Sequence, residues 1–252
     1  MALTVLQALP EAAELDVRIL ATDIDWGVLD GATVLVTGAN GMLPSSDVHT
    51  LLGLNDARDA GITVVGLVRN EAKARTVLGP VVDRPDFRLL ATDVTRLREF
   101  DGPMDLVIHG ASAARPSLHA ADPVSTIKAN LLGSFNLLDL CVAKQTPRFV
   151  LMSSSEVYGA QPAGTRLIPE NSYGGFDILN PRASYSEGKR AAETIASVYA
   201  AQHGIDARIV RFGHIYGPGM ALDDGRVQAD FAANVVRGEN IVLNSDGAAM
   251  RT

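Results

Sequence analysis

The feature that most constrains the fold is a regular alternation of short apolar runs with longer helical patterns. Six runs have the length and the apolar, β-branched content of buried strands, and helical or polar sequence separates them. They cover residues 33–37, 62–68, 87–91, 106–109, 149–152 and 207–212. Alternation of this kind is typical of right-handed β-α-β crossovers. The sequence therefore predicts an α/β fold, a doubly wound parallel sheet covered by helices on both faces.

Length and composition allow one large domain with a short extension. The chain has 252 residues, of which 47% are hydrophobic, so it can bury a substantial core. We interpret residues 1–30 as an N-terminal extension whose apolar-periodic stretch, 3–20, packs on that core. Residues 31–205 form the main domain, and residues 206–252 hold the last core strand and the start of a smaller C-terminal lobe.

Composition and charge also exclude several function classes. The sequence has no run of about 18 apolar residues and no basic segment before an apolar stretch, so we predict neither a spanning helix nor a secretory signal. The default compartment is then the cytoplasm. A net charge of −7 without a basic cluster argues against a nucleic-acid partner. We assign no metal ligands.

A glycine-containing turn, Thr37-Gly38-Ala39-Asn40-Gly41-Met42-Leu43-Pro44, follows the first predicted strand. Its glycines permit a tight turn and close approach of the backbone to a pyrophosphate at a helix N-terminus. Pro44 is compatible with the first helical turn, because the N–H that it lacks would be unpaired there. The position of the turn between a strand and a helix predicts a Rossmann-like dinucleotide site. Its expected cofactor contacts are Gly38, Asn40, Gly41, Met42 and Leu43.

The end of the second predicted strand bears on the choice of dinucleotide. NAD-selective folds usually place an acid there to bind the ribose 2′-hydroxyl, but this chain has none. Gly66 and Arg69 instead resemble sites where a guanidinium accompanies a 2′-phosphate. The local residues therefore favour NADP, and an exposed Arg69 without a ligand is the alternative.

Tyr185 and Lys189 are four residues apart in a helical pattern, which places a phenol and an ammonium on one face. The ammonium favours the phenolate, so Tyr185 can remove a proton from a substrate hydroxyl while hydride passes to a nicotinamide. Lys189 can also bind the cofactor ribose. The spacing is common in unrelated helices, so it is informative only together with the segments that precede it in the sequence.

One such segment is a run of hydroxyl residues, Ser153-Ser154-Ser155-Glu156-Val157-Tyr158-Gly159, at the end of the fifth predicted strand. Doubly wound folds bind ligands at the carboxyl edge of the sheet, where such hydroxyls can hydrogen-bond a reacting alcohol. The alternative is that the serines only satisfy backbone groups.

Taken in order, these segments resemble the extended short-chain dehydrogenase/reductase family, of the NAD-dependent epimerase/dehydratase type that modifies nucleotide sugars. The resemblance covers residues 33–252 and rests on the Gly38/Gly41 turn, Asp93, the 153–159 loop, the Tyr185/Lys189 pair and the 211–218 segment. It implies that NAD(P)+ oxidises the sugar 4-hydroxyl to a ketone. Ser154 then completes a triad with Tyr185 and Lys189.

The resemblance implies further roles. Asp93 and Val94 border the adenine ring, and the backbone of Gly110, Ala111 and Ser112 passes the cofactor. Expected substrate-side residues are Asn130, which shapes the active-site backbone in relatives, Arg182, His214, and Arg251 near the diphosphate or a uronate. Relatives also continue beyond the length of this chain, so the C-terminal substrate lobe is expected to be incomplete.

Relatives pair into homodimers through a four-helix bundle, to which the helices predicted at 123–143 and 183–202 correspond. A homodimer is therefore expected. Apolar residues on these helices are equally what internal packing requires, so the sequence does not separate an interface from a core.

The residues after Ser154 favour one reaction of the family. Glu156 argues against plain epimerisation, and 4,6-dehydratases use a Glu there as a base at carbon 5. Many dehydratases have an Asp acid before that Glu. This chain has Ser155 there, as UDP-glucuronate decarboxylases and the GDP-mannose dehydratase group do. The 180–190 segment also looks most like those decarboxylases, although His214 replaces their usual Asn.

We therefore expect a UDP-glucuronate decarboxylase-like enzyme. A 4,6-dehydratase is the first alternative and an epimerase the second. A non-catalytic dinucleotide-binding scaffold or sensor is the alternative from a different class.

Overall fold

The structure is a computed structural model that describes residues 24–113, 115, 120–162 and 164–243. The apolar stretch at 3–20 and the predicted substrate residue Arg251 lie outside the described residues. The elements in chain order are β1 (Thr33–Thr37), α1 (Met42–Arg58), β2 (Thr63–Val68), α2 (Glu71–Leu78), β3 (Phe87–Ala91), β4 (Leu106–His109), α3 (Pro123–Lys144), β5 (Arg148–Ser154), α4 (Ala183–His203), β6 (Asp206–Phe212) and α5 (Val227–Arg237).

The strands form one parallel sheet in the order β3-β2-β1-β4-β5-β6. The chain first builds outward from β1 and then restarts at β4 on its other side, so the connections leave β1 and β4 toward opposite faces of the sheet. Such a switch point opens a crevice at the carboxyl ends of the two strands, where ligands bind in open α/β sheets. The doubly wound fold predicted from the sequence is confirmed.

Strand β5 runs two residues further than the apolar pattern indicated. It ends at Ser154 rather than at Met152, because pairing with β6 continues through Ser153 opposite Arg211 and Ser154 opposite Phe212. The register therefore makes the first two serines of the hydroxyl run part of the sheet and leaves Ser155 to start the turn that follows.

Each face of the sheet buries its own core, because successive side chains of a strand point to opposite faces. Val34 and Val36 pack with α1 on one face, while Leu35 between them packs with α3 and α4 on the other. Near the described start of the chain, Asp25 caps a short 3-10 turn, Trp26–Leu29, through the Gly27 N–H. Leu29 of that turn is buried in the first core.

The two long helices α3 and α4 lie side by side against the sheet, with bounds within one residue of those predicted. Asp122 caps α3 by accepting the Ser125 N–H, and Pro123 occupies its first turn. Their close approach depends on Gly188, where a Cβ would lie 3.1 Å from the Asn130 amide nitrogen. Within the described ranges, no helix combines the length and apolarity needed to cross a membrane.

Candidate active site

The glycine turn lies at the crevice between β1 and β4. Gly38 has a φ of +70°, and a Cβ there would lie 2.9 Å from the Ala111 Cα, so a larger residue does not fit. Gly41 donates its N–H to the Gly38 carbonyl across 2.7 Å and is the N-cap of α1. No side chain in the described part of the chain caps this helix, which leaves donors at the positive end of its dipole. The turn, with Asn40, Met42 and Leu43 partly buried in it, fits a diphosphate.

Pro44 fits inside the first turn of α1, as the sequence predicted. It is the third residue of the helix and is buried. Gly110, directly after β4, makes room for it, since a Cβ on Gly110 would lie 2.5 Å from Pro44 Cγ and 2.8 Å from Met152 Sδ. Gly110 therefore has a packing role in the crevice whatever it contributes to a cofactor.

Thr37, at the end of β1, links the turn to β4. Its hydroxyl accepts the Ala111 N–H at 3.2 Å and lies 2.8 Å from His109 Nδ1. Burial lowers the pKa of His109 to about 3 and the Lys189 charge adds to this, so His109 is neutral. The Ser112 hydroxyl is buried and has no hydrogen-bond partner among the described residues.

Arg69 follows β2, where the adenosine half of a dinucleotide is expected, and its charge influences two acids. Asp93 accepts both the N–H and the hydroxyl of Thr95, at 2.8 and 2.7 Å. Burial alone would raise the pKa of Asp93, but these hydrogen bonds and the Arg69 charge lower it. The pKa of Asp122 is lowered chiefly by hydrogen bonds from Ser125, and Arg69 adds to this as well. The guanidinium is thus near two carboxylates.

Packing inside the sheet explains why residue 66 is a glycine, without a cofactor phosphate. It lies inside β2, and a Cβ there would come within 2.7 Å of Phe87 Cζ and 3.1 Å of Ala39 Cβ. The packing of those side chains therefore requires a glycine. Of the two residues that favoured NADP, only Arg69 is then left as an indication of which cofactor binds.

Val94 does not present its side chain to the cofactor crevice. The side chain is buried in the core shared with α3, against Gly133, and the Val94 carbonyl accepts the Asn136 amide at 2.9 Å. The predicted contact with adenine is left to Asp93 and to main-chain atoms.

Tyr185 and Ser154 meet where α4 begins and β5 ends, and their side chains share a hydrogen bond. Tyr185 is only 7% exposed. Burial raises the pKa of Tyr185 and the Glu156 charge adds to this, while the Ser154 bond and the Arg226 charge oppose it. Lost hydration outweighs the contributions that favour the phenolate, so the pKa of Tyr185 lies above its ordinary value in this structure.

Lys189 lies one helical turn beyond Tyr185 and is 3% exposed. Its Nζ donates to the Met152 carbonyl across 2.6 Å. Burial lowers the pKa of Lys189 to about 8, and the charge of Glu193 opposes the shift. The side chain is therefore mostly an ammonium at neutral pH. The structure brings Ser154, Tyr185 and Lys189 together at one edge of the sheet.

Glu156 belongs to the 3-10 turn Ser155–Tyr158 that follows β5. Its N–H donates to Ser154 Oγ at 3.2 Å, and its Oε2 accepts the Ser186 hydroxyl at 2.8 Å. A cavity of about 360 Å³ lies beside it. The lining residues are Glu156, Phe176, Asp177, Asn180, Arg182, Ala183 and Ser186. The cavity thus joins Glu156 and Arg182, two predicted site residues, next to the start of α4.

Asn130 is not on a surface that a substrate can reach. It is 1% exposed, its amide donates to the Thr126 carbonyl at 2.9 Å, and its Oδ1 is buried without a partner among the described residues. It packs against Gly188 on α4. The assignment of Asn130 as a substrate contact is therefore corrected: the residue is buried and packs against α4.

The other predicted substrate residues in the described ranges are exposed to solvent. Arg182 is exposed, and its N–H donates to Asn180 Oδ1 at 3.0 Å before α4 begins. His214 is exposed in the segment after β6.

Sequence reasoning missed two residues that the fold places at the site. Arg190 donates to the Val157 carbonyl at 2.7 Å and stacks at 4.3 Å from the Phe176 ring, so it fastens the loop after Ser154 to α4. Glu193 is buried one turn beyond Lys189. The spacing of Tyr185, Lys189 and Glu193, four residues at each step, was a signal that could have found the second.

Similarity to curated proteins agrees with this geometry. The protein of Arabidopsis thaliana named UDP-glucuronic acid decarboxylase 3 is 34% identical over 220 residues, which are 87% of this chain and 61% of the relative. UDP-glucuronic acid decarboxylase 5 of the same plant is 39% identical over 172 residues, 68% of this chain and 49% of the relative. The chain thus spans about half to three-fifths of the length of these relatives.

Solved structures with the same fold include two NAD complexes. The dTDP-glucose 4,6-dehydratase DesIV of Streptomyces venezuelae matches with a TM-score of 0.68 and 26% identity, over 87% of this chain and 66% of that one. The UDP-glucuronic acid 4-epimerase of Bacillus cereus, in complex with UDP-glucuronic acid and NAD, matches with a TM-score of 0.67 and 23% identity, over 85% and 66%.

The family comparison covers almost all of the described sheet. The model of the NAD dependent epimerase/dehydratase family matches residues 34–252, from β1 to the last residue. The turn between β1 and α1, the Tyr185 and Lys189 helix and the Ser154 strand end all lie inside that match. The chain therefore belongs to the NAD dependent epimerase/dehydratase family.

Proposed function

We propose that the chain oxidises the 4-hydroxyl of a nucleotide sugar with bound NAD, that the resulting 4-keto-uronate loses carbon dioxide, and that the hydride is then returned to carbon 4 of the 4-keto pentose, so that NAD+ is regenerated. The observation that carries this proposal is the hydrogen bond between Ser154 and Tyr185, one helical turn from the Lys189 ammonium. A hydroxyl pair backed by a cation suits the removal of a proton from an alcohol.

Each residue of the triad has a separate task in this proposal. Tyr185 accepts the proton of the sugar hydroxyl, and Ser154 holds that hydroxyl in place by a hydrogen bond. A raised pKa makes the Tyr185 phenolate a strong base but a rare one at neutral pH. Lys189 is the group that stabilises the phenolate as the proton moves. NAD, when bound, supplies the hydride acceptor.

The choice of decarboxylation rests on the second stage of the reaction. A β-keto acid loses carbon dioxide once its ketone is polarised, so little acid–base help is needed. The similarity to proteins named UDP-glucuronic acid decarboxylases, at 34–39% identity, supports this choice. A 4,6-dehydratase is the second candidate, since Glu156 lies at the cavity beside the triad and could serve as a base.

The test of the oxidation is substrate-dependent reduction of NAD under single-turnover conditions. We expect absorbance of the reduced nicotinamide to appear on adding UDP-glucuronate to the NAD-loaded protein, and to appear at least about 100-fold more slowly in Tyr185→Phe. Tyr199→Phe is the matched control, because Tyr199 lies on the same helix but hydrogen-bonds Asp139. Equal reduction in wild type and Tyr185→Phe would contradict the assigned role.

For the cofactor we propose NAD rather than NADP. The local sequence favoured NADP through Gly66 and Arg69, but Gly66 is explained by packing. Arg69 shares its surroundings with Asp93 and Asp122, whose negative charges oppose a 2′-phosphate. Calorimetric titration should give tighter binding of NAD+ than of NADP+. Tighter binding of NADP+ that is lost in Arg69→Ala would contradict the proposal.

We also propose that two copies pair through α3 and α4. Four apolar side chains of these helices are exposed: Val124 (59%), Leu132 (41%), Phe135 (41%) and Val198 (52%). Paired with a second copy, they would form a four-helix bundle. Sedimentation should show a dimer that Phe135→Glu dissociates, whereas Val235→Glu on α5, where Val235 is 68% exposed, should leave it intact. A wild-type monomer would contradict the pairing.

Two sequence-based expectations stay predictions. One is the division into a main domain and a C-terminal lobe near residue 205, which limited proteolysis of the whole protein tests. The other is a cytoplasmic location, which imaging of the tagged whole protein tests.

A further inference from the structure

Glu193 is a buried carboxylate beside the catalytic residues. It is 9% exposed and follows Lys189 by one helical turn on the same face of α4. The roles proposed above for Tyr185, Lys189 and Ser154 make no use of it.

The contacts of Glu193 join three elements at the catalytic edge of the sheet. Its Oε1 accepts the Ser153 hydroxyl at 2.5 Å. Arg211 donates from Nε to Oε1 at 3.0 Å and from Nη2 to Oε2 at 2.7 Å. Ser153 and Arg211 face each other across β5 and β6, so the carboxylate of α4 fastens the ends of both strands. Ser153 directly precedes the catalytic Ser154.

Arg211 is itself held from the other side. Its Nη1 donates to the Glu170 carbonyl at 2.6 Å, and its guanidinium lies 4.8 Å from the centre of the Tyr158 ring. Hydrogen bonds with Glu193, and with Tyr158, raise the pKa of Arg211 and keep it charged. The bidentate Arg211 pair therefore fixes the position and orientation of the Glu193 carboxylate.

Glu193 also offsets charge that the fold buries. Lys189 is a buried ammonium that donates to the neutral Met152 carbonyl, and the Glu193 charge opposes the lowering of the Lys189 pKa by burial. Two further titratable groups face this region: Tyr185 precedes Lys189 by one turn on the same helix, and the neutral His109 on β4 is influenced by the Lys189 charge. Arg211 on β6 is a second cation linked to the same carboxylate.

We propose that Glu193 is a positioning residue of the reaction, which keeps Lys189 charged and fixes the strand end that carries Ser154. This inference rests on the proposed function of the same site. A purely structural ion pair is the competing explanation, since a buried pair of this kind can serve the fold alone. The two differ in what they predict for the protonation of Lys189.

The test follows the Lys189 side chain directly, without turnover. The ¹³Cε resonance of Lys189, assigned with Lys189→Met, is recorded against pH in wild type and in Glu193→Gln. Gln keeps the size and an acceptor oxygen but removes the charge, so we expect the Lys189 midpoint to fall by about one pH unit or more. Glu71→Gln is the control, because it neutralises an exposed i,i+4 pair with Arg75 on α2.

A folded Glu193→Gln variant with an unchanged Lys189 midpoint would overturn the inference. If that variant does not fold, the same measurement is made on Glu193→Asp, whose side chain is one methylene shorter and moves the carboxylate away from its partners. The Asp variant should shift the midpoint in the same direction by less, and no shift would overturn the inference.

The pH dependence of NAD reduction gives a second, independent test. The alkaline limb of NAD reduction should move to lower pH in Glu193→Gln by the same amount as the resonance, and an unmoved limb with a shifted resonance would overturn the role in the reaction. Absence of NAD reduction in wild type would contradict the proposed function, while the resonance arm would still decide whether Glu193 keeps Lys189 charged.

Discussion

Lys189 Nζ donates to the main-chain carbonyl of Met152 across 2.6 Å, which fastens the catalytic helix to the strand that carries Ser154 two residues later. The bond fixes the distance between the two halves of the site before any ligand binds. Because the ammonium is buried in making it, its protonation is linked to folding as well as to chemistry.

That linkage predicts a pH dependence of stability. The pKa of Lys189 is lowered from 10.5 to about 8, so between these values the unfolded chain binds more protons than the folded one. The free energy of unfolding should therefore rise with pH across this window, relative to Lys189→Met, by on the order of 2 kcal/mol. Urea titrations of both proteins at closely spaced pH values measure the difference. A flat or falling difference would show that Lys189 is not buried as an ammonium.

The glycine turn predicts a pair of contrasting substitutions. Gly38→Ala places a methyl group 2.9 Å from the Ala111 Cα at a φ of +70°, so it should abolish NAD binding and cost more than about 2 kcal/mol of stability. Gly31→Ala has the same kind of φ, +72°, but nothing within 4 Å of the new methyl group.

Gly31→Ala should therefore cost only about 1 kcal/mol of backbone strain and leave NAD binding intact. Thermal unfolding and calorimetric titration of the two variants separate strain from collision. NAD binding that survives in Gly38→Ala would remove the turn from the proposed cofactor site.

Tyr185→Phe should lower the rate of NAD reduction by at least about 100-fold, the usual scale for loss of a general base. The affinity for NAD should change by less than about threefold, because the variant removes a hydroxyl and keeps the ring. Single-turnover absorbance and calorimetry give the two numbers.

Glu156→Gln should shift the acid limb of NAD reduction to lower pH. Burial is the main cause of the raised pKa of Tyr185, and the Glu156 charge adds to it, so removal of that charge lowers the Tyr185 pKa. Decarboxylation should persist in this variant, since it needs no base at this position. The pH profile is measured through and above the ordinary pKa of a tyrosine, about 10, together with the products. Loss of product formation with intact NAD reduction would favour the dehydratase, in which Glu156 acts after the oxidation.

The sequence predicts the sheet well because each strand carries its own signal. The runs at 33–37 and 106–109 fix β1 and β4, and their alternation with helices fixes the switch point where the glycine turn lies. Tyr185 and Lys189 were found for a similar reason, because two residues spaced four apart in one helix lie on the same face.

The errors concern contacts between residues far apart in the sequence. Gly66 looked like part of a phosphate site because the packing of Phe87 and Ala39 against it is not visible in a linear pattern. Asn130 looked like a substrate contact because its burial against Gly188 depends on how α3 packs on α4. The raised pKa of Tyr185 was not foreseen, because spacing indicates a neighbouring charge but not the loss of hydration around a buried ring.

The most direct test of the central claim is mass spectrometry of UDP-glucuronate after incubation with the NAD-loaded protein, beside Tyr185→Phe and Tyr199→Phe. We expect a product lighter by the mass of carbon dioxide with wild type and Tyr199→Phe, and unchanged substrate with Tyr185→Phe over the same time. An isomer of unchanged mass, or decarboxylated product formed equally fast with Tyr185→Phe, would contradict the proposed reaction.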